Sequence, residues 1–255
     1  MQSRAVRAAL PILGLGAVVG LWAILVATDV LPKESVASPK ATFSSLRTML
    51  GEGEFWTRVG QTAWSWFVGL LVAAAIGIPL GVMLGASPRL SRFTRVVIEA
   101  VRPIPPVVIL PLALLVLGGA LAFKVALIVQ GALWPLVVQA SYGVRSIDPV
   151  VIETAASYRL GWLRRTFQVR IPAASLQIAV GLRLAAATAF AVCLVSELVG
   201  GAKGLGAGLV SAQISGDIAK VMALTIASGL FGMLIALVFG RLERRLLRWS
   251  PAGGL

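Results

Sequence analysis

The sequence predicts an all-α integral membrane protein with six helical spans. Three observations carry this expectation. Of 255 residues, 58% are hydrophobic and only 13% are charged, whereas soluble domains run near ~45–50% apolar and ~25% charged. Several uncharged runs are long enough to cross a bilayer core of about 30 Å as a helix. The basic residues stand mainly between those runs, as membrane topology requires.

The spans are expected at about 8–28, 62–87, 103–118, 122–144, 173–196 and 221–240, within one membrane domain covering 1–255. Ala8 to Ala27 is uncharged and follows Arg4 and Arg7. It is longer than the ~7–15-residue apolar core of a cleaved leader, which favours a retained span. Asp29 to Arg58 is polar and reads as a loop with one short surface helix. In the second span Gly69, Ala73, Gly77, Gly81 and Gly85 recur every fourth residue, a stripe of small side chains that lets another helix approach closely. Pro88 to Arg102 places Arg89, Arg92, Arg95, Glu99 and Arg102 on one face of an amphipathic surface helix. Pro103 to Val144 holds one charge, Lys124, and is too long for one span, so Gly118-Gly119 is read as the turn of a hairpin. Ala173 to Ser196 is interrupted only by Arg183, and Glu197 to Lys220 is a glycine-rich loop.

Orientation follows from Lys and Arg. With the N-terminus inside, fifteen arginines fall on the cytoplasmic side: the pairs and groups at Arg4–Arg7, Arg89–Arg102, Arg145–Arg170 and Arg241–Arg248. The opposite side receives Lys33, Lys40, Arg47, Arg58, Lys203 and Lys220, with Lys124 reaching towards that surface by snorkelling. Both termini and the loop over 145–172 are then cytoplasmic.

The net charge of +13 belongs to this asymmetry and not to nucleic-acid binding, which needs a basic face with base-contacting side chains. There is no His, and Cys193 is the sole cysteine. The commonest zinc ligand and general base are therefore missing, and no metal site or catalytic residue is expected. Gly200-Gly201-Ala202-Lys203-Gly204 lacks the spacing of a phosphate-binding loop.

The loop over 145–172 is the informative stretch. Asp148-Pro149 is a helix start, with Asp as cap and Pro at the first position. The helix carries Glu153 and ends near Gly161, and Pro172 opens the next span. This loop resembles the Glu-Ala-Ala coupling loop of binding-protein-dependent ABC importer permeases, with Glu153, Ala155 and Pro172 at matching positions. Leu31-Pro32, Gly77-Ile78-Pro79-Leu80-Gly81, Arg102-Pro103-Ile104-Pro105-Pro106, Gly181-Leu182-Arg183, Ser196-Glu197 and Gly204-Leu205-Gly206 are similar to the sulfonate, taurine and nitrate branch. The likeness covers roughly residues 30 to 240. Thr154 departs from the pattern, and Arg159 stands where that family usually has glycine, with Gly161 two residues later.

The resemblance implies a type I importer permease in the bacterial cytoplasmic (inner) membrane, carrying a small anion such as a sulfonate, taurine or nitrate. A pyrimidine or vitamin-like precursor is the alternative cargo, and a secondary transporter the alternative class. It also implies a second permease subunit (a copy of this chain or a different one), two cytoplasmic ATPases and an external substrate-binding protein. No cofactor is expected in this chain, and ATP with magnesium belongs to the partners. Glu153, Thr154, Ala155, Arg159, Gly161 and Pro172 form the expected coupling loop. Pro105, Pro106, Arg183 and Glu197 are the candidates for the translocation pathway. For each of these a plainer role stands beside it: a bent helix start for the prolines, a local pair for Arg183, a loop cap for Glu197.

Overall fold

The computed structural model describes residues 4–30, 32, 35–119 and 121–246. Leu31, Lys33 and Arg248 of the sequence reading lie outside them. Among the described residues twelve α-helices run in the order α1 (Arg4–Ala27), α2 (Pro39–Leu50), α3 (Gly53–Ala86), α4 (Pro88–Val101), α5 (Pro106–Leu117), α6 (Leu121–Arg145), α7 (Pro149–Ser157), α8 (Trp162–Arg165), α9 (Ile171–Ala173), α10 (Ser175–Val199), α11 (Leu205–Ile214) and α12 (Ile218–Leu246). A π-turn over Thr166–Arg170 joins α8 to α9. No strand occurs among the described residues.

Local sequence sets these boundaries. Helices α2, α4, α5 and α7 open on Pro39, Pro88, Pro106 and Pro149, where a missing N–H costs nothing and φ is already helical. Ser38, Ser87 and Asp148 precede three of them and accept from the N–H groups of Ala41, Leu90 and Val150. Each cap satisfies one of the four donors a helix start leaves open.

Helices α3, α6, α10 and α12 are long and apolar enough to cross a membrane. Helix α5 has 12 residues, about 18 Å at ~1.5 Å per residue, and does not match the full span expected over 103–118. It counts as a span only together with α4, from which it bends by 86°. Pro103, Pro105 and Pro106 cause the break, because each lacks an N–H and restricts the residue before it. Arg95 Nε donates to Glu99 Oε1 at 2.7 Å on the exposed face of α4, as the four-residue spacing predicts.

Helix α6 is the centre of the bundle, packed between α3 and α10. The small-residue stripe of α3 makes the first contact possible. A Cβ at Gly69 would lie 2.5 Å from Ile128 Cγ2, and one at Gly81 would lie 2.6 Å from the Val137 carbonyl oxygen. The two helices run parallel, since Gly69 meets Ile128 while Gly85 meets Ser141 and Val144. The stripe is consumed inside the chain, because α6 presents the side chains that fill it. Helix α10 returns antiparallel on the other flank of α6, with Gly131 against Val192 and Gly143 against Gln177. Leu70, Ala73, Ile128, Ala132, Ala185 and Ala189 form the shared core.

Candidate functional site

The loop between α6 and α10 builds its exposed surface from a short capped helix. Asp148 Oδ1 accepts from the Val150 N–H at 2.8 Å, and α7 carries Glu153 and Thr154 outward while Ala155 is buried beneath. Thr154 Oγ1 turns back to the Val150 carbonyl. The Glu153 side chain is exposed.

The end of α7 corrects the sequence expectation. The helix stops at Ser157 and not near Gly161, and Gly161 is not left-handed. Its φ is −61° and ψ 160°, ordinary extended backbone. The left-handed residue is Arg159 itself, at φ 54°. The Arg159 N–H donates to Ala156 O at 2.8 Å and the Leu160 N–H to Ala155 O at 3.2 Å. That pair of bonds is the Schellman stop, which glycine ordinarily supplies. A non-glycine residue therefore bears a conformation that L-residues disfavour by roughly 1–2 kcal/mol.

Beyond the stop the loop displays apolar side chains. Tyr158 is 79% exposed, with Trp162, Leu163, Phe167 and Val150 of α7 also outward. Beneath them Arg165 Nε, Thr166 Oγ1 and Arg170 Nη1 are buried with no hydrogen-bond partner. Burial, and after it the like charge of Arg165, hold the Arg170 guanidinium below its ordinary pKa. Pro172 is exposed and lies in α9, just before the long helix α10.

The pathway candidates separate into three places. Pro105 and Pro106 line a cavity of about 520 Å³ between the start of α5, α6 and α10. Gln130, Trp134 and Thr188 face it too, and the sequence reading missed all three. Their only signal was polarity within apolar runs. Arg183 does not line this cavity. Its guanidinium faces Glu243 of α12 at 3.5 Å, so its local pair is with a carboxylate.

Glu197 lies at the opposite end of the bundle and is 0% exposed. Lys124 Nζ donates to its Oε1 at 2.5 Å and to the Lys203 carbonyl at 2.9 Å. Thr62 Oγ1 donates to Oε1 at 2.9 Å, and the Gly206 N–H to Oε2 at 3.0 Å. Thr62 Oγ1 accepts in turn from the Leu205 N–H. One carboxylate ties α3, α6, α10 and the first turn of α11. Lys124, expected to snorkel outward, is only 3% exposed. The reason is Glu197, an opposite charge at the same depth that removes the need to reach water. Gly204 is required here, since its φ is 154° and a Cβ would fall 2.1 Å from Glu197 Oε1.

The chain is similar to known proteins over most of its length. The chain is similar to the putative aliphatic sulfonates transport permease protein SsuC of Bacillus subtilis (strain 168), 25% identical over 91% of this chain and 84% of that protein. It is 26% identical to the taurine transport system permease protein TauC of Escherichia coli (strain K12), over 90% and 85% of the two chains. It is 26% identical to the nitrate import permease protein NrtB of Leptolyngbya laminosa, over 77% and 70%. Its fold matches a chain of the MetNI methionine ABC transporter with a TM-score of 0.68 and 20% identity, covering 76% of this chain and 96% of that one. The profile of one family, described as binding-protein-dependent transport system inner membrane component, matches residues 77–248. With that match over most of its length, and with its apolar helices, this chain belongs to that family, as a multi-pass inner-membrane permease of an ABC importer.

Proposed function

We propose that the chain is one permease subunit of an ATP-driven importer for a small anion of the sulfonate, taurine or nitrate kind. Its six spans are α1, α3, the bent α4–α5 unit, α6, α10 and α12, with both termini cytoplasmic. The basic-residue asymmetry supports that orientation. The loop over 145–172 docks on a cytoplasmic ATPase, and a second permease, most simply another copy, completes the pathway. An external binding protein delivers the cargo.

The observation that carries this reading is the loop itself. A rigid, doubly capped helix and an exposed aromatic patch stand directly between two membrane helices. A motor that closes on ATP must pass rigid-body movement into the bilayer, and a packed helix in a groove transmits it without bending. The buried, unpartnered Arg165 and Arg170 nitrogens support a partner that brings acceptors, because such groups are costly to leave unmade. The chain carries no nucleotide-binding motif, so hydrolysis is assigned to the ATPase.

Co-purification tests the reading. Glu153→Ala, combined with Ala155→Leu, should weaken ATPase association and uptake while leaving membrane insertion intact. Wild-type association and uptake in that variant would end the claim that this loop couples the subunits. Ser157→Cys and Glu52→Cys test the orientation, since the native Cys193 is buried. Only Glu52→Cys should react with an impermeant reagent in intact cells.

A further inference from the structure

The cavity beside Pro105 and Pro106 has a definite polarity. Gln130 and Trp134 are four residues apart on α6, so they share one face of the helix. Gln130 Nε2 and Trp134 Nε1 are both buried, and neither has a hydrogen-bond partner. Both residues line the cavity. A buried N–H with nothing to donate to is uncommon in folded proteins and marks a place where another acceptor belongs. Arg102 stands in the lining as well, and no carboxylate does. An indole N–H and a guanidinium only donate. Gln139, Thr188 and the Gln130 amide oxygen can accept as well, so what distinguishes the cavity is two unmade donors and one positive charge.

The volume of about 520 Å³ falls within the range of small-molecule sites, roughly 300–1,000 Å³. Gly131 shapes the wall between the two donors. A Cβ there would lie 2.9 Å from Val192 Cγ2 and 3.2 Å from Pro106 Cγ, so α5, α6 and α10 meet closely beside the polar face.

We propose that Gln130 and Trp134 form an oxyanion-binding step on the translocation pathway, with Arg102 supplying the compensating charge. The ligand is a small solute bearing a sulfonate or nitrate group. Its several oxygens accept from the two unpartnered N–H groups at once. An uncharged solute with a single acceptor would leave one donor unmade. This step rests on the importer reading above and names how the permease itself, after the binding protein has released its cargo, recognises the anion.

The test uses the whole transporter in proteoliposomes: two permease copies, two ATPases and the cognate binding protein. Labelled taurine, an alkanesulfonate and nitrate are offered separately. Uptake and ATP hydrolysis are measured together, so that anions moved per ATP can be read. Gln130→Met and Trp134→Phe each remove a donor and keep an apolar side chain. Each should lower anions moved per ATP by about tenfold, the scale of a lost hydrogen bond to a charged acceptor. Hydrolysis stimulated by the loaded binding protein should persist. Trp64→Phe, on the exposed face of α3, should leave the ratio unchanged. If the wild-type transporter moves one of the anions and both donor variants keep its ratio, the oxyanion step is overturned while the importer reading stands. If the wild type moves none of the three, the anion reading falls and this step falls with it.

Discussion

Arg159→Gly should stabilise the coupling loop. Arg159 sits at φ 54° as the stop of α7, and the left-handed region costs an L-residue roughly 1–2 kcal/mol. Glycine removes that cost but gains about 0.4–1 kcal/mol of backbone freedom in the opened state. The net gain is about 0.5–1 kcal/mol, a two- to fivefold smaller opening constant at RT of about 0.59 kcal/mol. The amides that report it are Tyr158, Arg159 and Leu160, which donate to Thr154, Ala156 and Ala155. Hydrogen exchange of a peptide covering 149–161, in the permease held in nanodiscs, should slow by that factor. Gly161→Ala is the matched control. Its backbone is extended and nothing lies within 4 Å of an added Cβ, so exchange should be unchanged or slightly slower. Unslowed exchange in Arg159→Gly, with faster exchange in Gly161→Ala, would place the left-handed residue at 161 and refute the reasoning.

The remaining expectations concern packing and the buried ion pair. Glu197→Gln leaves Lys124 charged, buried and unpaired, and should destabilise the purified permease by about 3–5 kcal/mol; the paired change Lys124→Met with Glu197→Leu should cost less, as thermal unfolding in detergent would show. Gly204→Ala should be nearly as damaging as Glu197→Gln in the same assay, because the methyl group overlaps the carboxylate. Gly81→Leu should abolish folding of the chain itself, not merely subunit pairing, since α6 backbone occupies the space; a folded, monomeric Gly81→Leu permease would contradict the packing.

Much of the architecture was legible in the residue order. The apolar runs located α3, α6, α10 and α12 because a bilayer demands about twenty apolar residues per helix. Asp148 and Pro149 announced the start of α7, since capping depends on residues only two or three positions apart. Asp148-Pro149, Glu153 and Pro172 marked the loop for the same reason. Pro105 and Pro106 were recognisable as a break, though not as the wall of a cavity.

Tertiary structure decided whatever depends on a partner distant in sequence. Lys124 and Glu197 are 73 residues apart, and only the packing of α6 on α10 turns a presumed surface lysine into half of a buried pair. The small stripe of α3 said that some helix would approach, and only the fold said that the helix is α6. The donors at Gln130 and Trp134 gain meaning from the lack of any partner around them, which no linear pattern records. Arg159 shows the same limit on a local scale. The sequence held two candidates for one turn, and the choice between them was made by which carbonyls of α7 the following N–H groups could reach.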